Sequence, residues 1–176
     1  MGLPGSQRNV QKLVDEHYES LYRYAYRLSG SAADADDLTQ ETFCKAQLNL
    51  SQVRDPGRAK PWLFKILRNA YLHRIRAEKN HPCVSLDDMS DLPCRLPEPL
   101  PPVDAEQLQQ ALGQLPEVFR TPVILYYFDD FSYRDIAEQM DLPLGTVMSR
   151  LSRGRDWLRR LLSTPTPVKR EGGAGL

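Results

Sequence analysis

Six of the chain's 14 prolines fall between positions 82 and 102, and no other feature limits its folding as strongly. They are Pro82, Pro93, Pro97, Pro99, Pro101 and Pro102. Proline lacks the backbone donor a helix needs and its ring clashes with the preceding turn. The segment HPCVSLDDMSDLPCRLPEPLPPV, residues 81–103, therefore reads as a linker. As a flexible coil it would average about 26 Å end to end. It divides the chain into an N-terminal domain over 8–80 and a C-terminal domain over 104–163. The remainder, 164–176, has the composition of a disordered tail.

Both domains read as helical. In the first, Val10, Leu13, Val14, His17 or Tyr18, Leu21, Tyr22, Ala25 and Leu28 recur at steps of three and four, the mark of one apolar helix face. Gly30 ends that helix as a glycine cap, and Ser31 with Asp34 forms an N-cap pair for the next. The second helix, to about Leu50, turns Ala35, Leu38, Thr42 and Ala46 inward and Asp37, Gln40, Glu41 and Cys44 outward. Pro61 suits the first turn of a third helix. Trp62, Leu63, Ile66, Leu67, Ala70, Tyr71 and Ile75 form its buried stripe. Lys65, Arg68, Asn69, Leu72 and Arg76 fall on another stripe.

The second domain begins with short helices in DAEQLQQALGQL and PEVFRTPVILYYF. Pro122 predicts a kink or a late start in the second of these. Ser132 with Asp135 is a further capping pair, DLPLG a tight turn, and Leu144 to Leu162 a last helix burying Val147, Leu151 and Leu158. Strand-like alternation is absent apart from a short VILYYF run. The expected fold class is all-α: two small helical domains joined by a proline-rich linker.

Composition narrows the function classes. No run approaches the roughly 20 apolar residues of a membrane span, and the N-terminus lacks a secretory h-region, so neither membrane insertion nor secretion is expected. Three cysteines, Cys44, Cys83 and Cys94, are too few and odd in number for a disulfide framework, which points to a reducing cytoplasm. Net charge is zero, which taken alone argues against a nucleic-acid binder. The distribution argues otherwise: residues 1–80 carry +4, 81–107 carry −5, and 146–170 carry +6. Two basic regions flank an acidic middle.

A short helix, a turn containing glycine and a basic helix form the helix-turn-helix pattern. The N-terminal part of its second helix would turn Thr146, Met148, Ser149, Ser152 and Arg153 toward base edges. Arg150, Arg155, Arg159 and Arg160 would grip phosphates, which position the helix without reading sequence. The competing reading is an amphipathic helix with a solvated basic face; agreement of turn, cap and charge favours the first.

With these residues in view, SYRDIAEQMDLPLGTVMSRLSRGRDWLRRLL resembles region 4 of bacterial RNA polymerase sigma factors. DDLTQETFCKA resembles their region 2.2, and PWLFKILRNAYLHRIR their regions 2.3 and 2.4. Two domains on a linker resemble the extracytoplasmic-function (ECF) group, over about residues 10–163. The resemblance implies that Asp37, Gln40, Glu41 and Phe43 dock on the β′ clamp helices of core RNA polymerase, with further contact to the β subunit. Phe43 could equally be core. Lys65 and Arg68 would hold the backbone of promoter DNA at the −10 element, beside Arg76. Asn69, Val53 and Arg54 would capture a flipped base of the single strand, whose extrusion costs a few kcal/mol. Trp62 and Tyr71 could stack on bases, but their place on the apolar stripe favours packing. Thr146, Met148, Ser149, Arg150, Ser152, Arg153 and Arg155 would serve the −35 duplex. The family often has an acidic residue at the place of His73 and Lys or Arg at that of Met148. A different −35 base preference is expected to follow from the second departure.

An anti-sigma factor is an expected partner, and the free chain is expected to be monomeric and to bind duplex DNA weakly. The alternative is a stand-alone helix-turn-helix regulator, which leaves DDLTQETF and WLFKILRN unexplained; a decoy that occupies polymerase without initiating is a third. No cofactor, metal or catalytic residue is expected. No phosphate loop, GxSxG, HExxH or dinucleotide fingerprint occurs. His81, Cys83 and Cys94 lack a fourth zinc ligand, and the pairs Asp36/Asp37 and Asp129/Asp130 do not converge on a metal.

Overall fold

The computed structural model describes residues 4–52, 55–78 and 103–163. Val53 and Arg54, the linker candidates His81, Cys83 and Cys94, and the expected tail lie outside them. Seven α-helices make up the described fold, and no strand occurs among the described residues. Helices α1 (Pro4–Ser29), α2 (Ala32–Leu48) and α3 (Ala59–Glu78) pack as a three-helix bundle. Helices α4 (Ala105–Gln114), α5 (Glu117–Asp129), α6 (Tyr133–Met140) and α7 (Leu144–Ser163) form the second unit. Two short 3-10 turns, Leu50–Gln52 and Pro56–Arg58, lie between α2 and α3.

Local chemistry places the helix ends where the expected signals lie. Gly30 adopts φ +73°, a left-handed conformation that costs glycine little, and its N–H closes on the Tyr26 carbonyl at 2.8 Å. Ser31 Oγ accepts the Asp34 N–H, which satisfies one orphan donor of α2. Ser132 and Asp135 complete a reciprocal capping box on α6. The α6–α7 turn differs from expectation in one detail: its left-handed residue is Asp141, φ 52°, while Gly145 already lies within α7. α3 begins two residues before Pro61, which thus lies in its first turn, as expected.

The expectation of a late start at Pro122 is corrected. α5 begins at Glu117 and continues through Pro122, its sixth residue. Proline cannot donate to the Val118 carbonyl there. Burial of Phe119, Val123, Ile124 and Leu125 along the same helix offsets that lost bond.

The faces read from periodicity are buried. Leu21, Ala25 and Leu28 of α1 meet Ala35, Leu38 and Ala46 of α2 and Leu63, Leu67 and Ala70 of α3. Val147, Leu151 and Leu158 of α7 close on α4 and α5. Gly154 permits this approach: a Cβ there would lie 2.6 Å from Val123 Cγ2 and 3.3 Å from the Phe119 carbonyl oxygen.

The two units are packed against each other. α1 touches α4 and α5, and α3 touches α6. Phe64 is the hinge of the shared core, with its ring 4.8 Å from Tyr24 in its own unit and 5.1 Å from Phe131 in the other. Periodicity missed Phe64, which is fully buried beside the expected stripe. Its burial is explained by a partner 67 positions away in sequence.

Candidate functional site

Three groups of candidate residues lie on three helices. On α2, Asp37, Gln40 and Cys44 are exposed on one face, as their spacing requires. Glu41 is half-buried between two cations: Lys45 Nζ lies 2.7 Å from one carboxylate oxygen and Arg74 of α3 3.1 Å from the other. Hydrogen bonds from Lys45 and then Arg74 hold the Glu41 carboxyl below the ordinary carboxylate range. Arg74 also reaches Asp37 at 4.0 Å. It therefore fixes two of the α2 carboxylates relative to the helix that carries the −10 candidates, a role the sequence reading did not assign. Phe43 is a correction: only 9% exposed, it stacks on Tyr18 with centroids 6.3 Å apart, so its ring packs the bundle.

On α3, Lys65, Arg68, Asn69 and Arg76 share the stripe expected for them, and Asn69 and Arg76 are exposed. Lys65 and Arg68 are covered from the second unit. Lys65 Nζ lies 3.4 Å from both the Glu138 carbonyl and Asp141 Oδ1. Arg68 donates to the Gln139 carbonyl at 3.5 Å and pairs with Glu117 at 4.0 Å. Arg58 makes a two-pronged pair with the Glu138 carboxylate at 3.2 and 3.3 Å. Lys60 donates to the Asp129 carbonyl at 2.7 Å and lies over the rings of Phe64 and Phe131. Gln139 Nε2 returns a hydrogen bond to the Pro61 carbonyl. Trp62 is half-buried against the core, and Tyr71 is buried with its hydroxyl donating to the Leu28 carbonyl at 3.0 Å. Both serve packing here, as their stripe indicated.

On α7, Thr146, Met148, Ser149, Arg150, Ser152 and Arg153 are all half-buried. Ser149 Oγ donates to the Thr146 carbonyl at 3.0 Å, a bond within the helix itself. Arg155 is the second correction. At 2% exposure it faces the interior, 3.4 Å from Asp156 and hydrogen-bonded with Tyr127 of α5. The helical rotation that places Leu151 and Leu158 inward carries position 155 inward with them. A phosphate-gripping role does not fit that placement.

Asp129, at the C-terminal end of α5, is buried at 5% exposure. Burial pushes its carboxyl up to about 6, against the opposing pull of Lys60, Arg27 and Arg23. Among the described residues, no group of carboxylates, histidines and cysteines converges as a metal site.

A three-helix bundle with a cation-bearing helix, joined to a helix-turn-helix unit, defines a class of two-domain DNA-binding proteins. The patterns of Sigma-70 region 2 and Sigma-70, region 4 match residues 13–81 and 105–158. The ECF RNA polymerase sigma factor SigE of Mycolicibacterium smegmatis is 37% identical over 157 residues, which cover 86% of this chain and 61% of that protein. SigW of Bacillus subtilis, also an ECF sigma factor, is 29% identical over 170 residues, 90% of this chain and 91% of its own length. SigM of Mycobacterium tuberculosis is 32% identical over 158 residues, 90% of this chain and 79% of its own. A solved structure of the sigma factor RpoE with the anti-sigma factor NepR from Bartonella quintana superposes with a TM-score of 0.72 at 28% identity, covering 90% of this chain and 99% of that one. The chain belongs to the sigma-70 family, within its ECF group of RNA polymerase sigma factors.

Proposed function

We propose that the chain binds core RNA polymerase and directs promoter-specific transcription initiation. The observation that carries this reading is the joint presence, in order, of a region 2 bundle and a region 4 helix-turn-helix unit. The first is assigned to residues 8–80 and the second to 104–163, with 81–103 as the linker. Asp37, Gln40 and Glu41 form the polymerase-facing patch on α2, with Arg74 holding the carboxylates in place. Lys65, Arg68, Asn69 and Arg76 on α3 take the −10 DNA, joined by Val53 and Arg54, which precede α3 in sequence. Thr146, Met148, Ser149, Arg150, Ser152 and Arg153 on α7 read and grip the −35 duplex. A bidentate contact from Arg153 to guanine would contribute about 1–3 kcal/mol of discrimination.

The chain performs no bond chemistry in this scheme; polymerase does. It works in the cytoplasm, and an anti-sigma factor is its regulator, as NepR is the partner of RpoE in that structure. Among the described residues no helix is long and apolar enough to cross a membrane. A stand-alone helix-turn-helix regulator would leave the region 2 match without a task.

Transcription from a pool of genomic fragments, with purified core polymerase and with or without this chain, tests the reading. Discrete new start sites that require the chain are expected. Core binding without new starts would indicate a decoy, and neither binding nor starts would return the assignment to a stand-alone regulator.

A further inference from the structure

We propose that the cleft between α1 and α4 is a binding site for a nucleoside phosphate whose base carries an amino group. The cleft has a volume of about 650 Å³, within the range of roughly 300–1,000 Å³ typical of small-molecule sites. Among the described residues, none of the polymerase or DNA candidates lines it, so the inference stands apart from the proposed function. Its two walls differ in chemistry, and that difference selects the ligand.

The α1 wall is aromatic and cationic. Tyr22 and Tyr26, and likewise Arg23 and Arg27, stand four residues apart, so each pair shares a helix face. Tyr26 is 38% exposed, and Tyr22 is steadied by the Tyr18 ring, with centroids 6.4 Å apart. An accessible aromatic ring offers a planar base a face to stack on. The Arg27 guanidinium lies over the Phe128 ring at 4.3 Å, and among the described residues no carboxylate oxygen comes within 4.0 Å of it. Burial disfavours its charged form, Asp129 restores part of it, and Arg23, one turn back, repels it. Arg23 has only the exposed Glu19 at 3.4 Å as partner. An anion in the cleft would relieve both the repulsion and the burial. A phosphate, with a charge of about −2 and three acceptor oxygens, matches two guanidiniums better than a single carboxylate does.

The α4 wall is the reverse. Gln109 Nε2 donates to the Tyr26 and Arg27 carbonyls at 3.2 and 3.3 Å. Gln110 Nε2 donates to Glu106 Oε1 at 3.5 Å. With these donors engaged, α4 offers a ligand mainly acceptor oxygens: the Glu106 carboxylate and the two glutamine carbonyls. Leu108 packs against the core on the same wall and gives it an apolar floor. The exocyclic amine of a base is the matching donor, whereas a keto group at that place would set acceptor against acceptor. A ligand that fits both walls therefore carries an anion for the arginines, a planar ring for the tyrosines and an amino donor for α4. An adenine or cytosine nucleotide unites all three.

Isothermal titration calorimetry of the full chain with adenosine monophosphate, inosine monophosphate, inorganic phosphate and phenylalanine tests the proposal. Adenosine monophosphate should bind a single site with a Kd below about 1 mM. Inosine monophosphate, which has a keto group in place of the amine, should bind about tenfold more weakly, and inorganic phosphate more weakly still. Arg27→Ala should weaken adenosine monophosphate by about tenfold. Glu106→Ala, an exposed substitution, should bring the ratio of the two nucleotides down to about one. If Arg27→Ala fails to fold by circular dichroism, Arg23→Ala takes its place, since that side chain is 57% exposed. Displacement of the nucleotide by a mixed-sequence single strand of about 12 nucleotides would mean that the cleft takes a polymer rather than a free nucleotide. That outcome would overturn the proposal. So would the absence of saturable binding, equal affinity for the two nucleotides in the wild-type chain, tighter binding of phenylalanine, or an affinity that neither arginine substitution moves.

Discussion

The two helices that carry DNA candidates are held in opposite ways. α7 is seated within its own unit: Gly154 lets its backbone approach α5, and Arg155 turns inward beside Tyr127 and Asp156. α3 is seated in the first bundle, but its cationic stripe is covered by a different unit through α6 and the end of α5. The first arrangement fixes a helix by contacts within its own unit. The second leaves a cationic stripe covered by the other unit. A stripe of basic residues on a helix therefore says which side chains move together and leaves open what faces them.

The sharpest way to break the α7 seat is Gly154→Val. With Val123 Cγ2 2.6 Å from the first added carbon, α7 must shift or α5 must yield, and overpacking of this kind costs about 3 kcal/mol. Thermal melting should show it, and −35 duplex binding should fall with it. Arg155→Ala follows at about 2–3 kcal/mol, because it strips a buried cation from Asp156 and Tyr127. If Arg155 instead lies on the DNA face, that variant will melt normally and lose affinity.

Asp129→Asn sharpens the other side of the comparison. A carboxyl whose pKa rises to about 6 in the folded chain stabilises it only while protonated. That contribution is complete below about pH 4 and is lost as pH rises through about 6. The asparagine variant should therefore melt higher than wild type at neutral pH, by about 2 kcal/mol, and the difference should shrink toward pH 4. A variant less stable than wild type at neutral pH would mean that the charge pairs productively with Lys60 and Arg27. The smallest stability effect belongs to Arg150→Ala. Melting should stay within about 0.5 kcal/mol of wild type, while the slope of log affinity against log salt falls by about 1 in −35 duplex binding.

Much of the fold was legible because its determinants are local. Gly30, Ser31 with Asp34 and Ser132 with Asp135 act within one turn of chain, and each stands where expected. The faces of α1, α2, α3 and α7 followed from steps of three and four. What escaped has long-range causes. Phe64 is buried because Phe131 meets it from the other domain, and Lys65 and Arg68 are covered by residues 71 to 76 positions away. Arg120 reads as an ordinary surface arginine until Leu28 and Tyr71 are placed beside it. The sequence leaves Phe43 open between docking and core, and the basic run of α7 draws Arg155 outward, whereas the rotation of their own helices buries both. Arg74 was left out because its partners, Asp37 and Glu41, lie on another helix.

Closure is most directly tested on the unaltered chain by carbodiimide cross-linking followed by peptide mapping, free and bound to core polymerase. The account predicts a Lys65–Asp141 product in the free chain, where the groups lie 3.4 Å apart, and its loss on the polymerase. The Lys45–Glu41 product within α2, from groups 2.7 Å apart, is the internal control for reactivity in the free chain. A free chain that yields the control and no Lys65–Asp141 product would contradict it, as would a product that persists undiminished on polymerase.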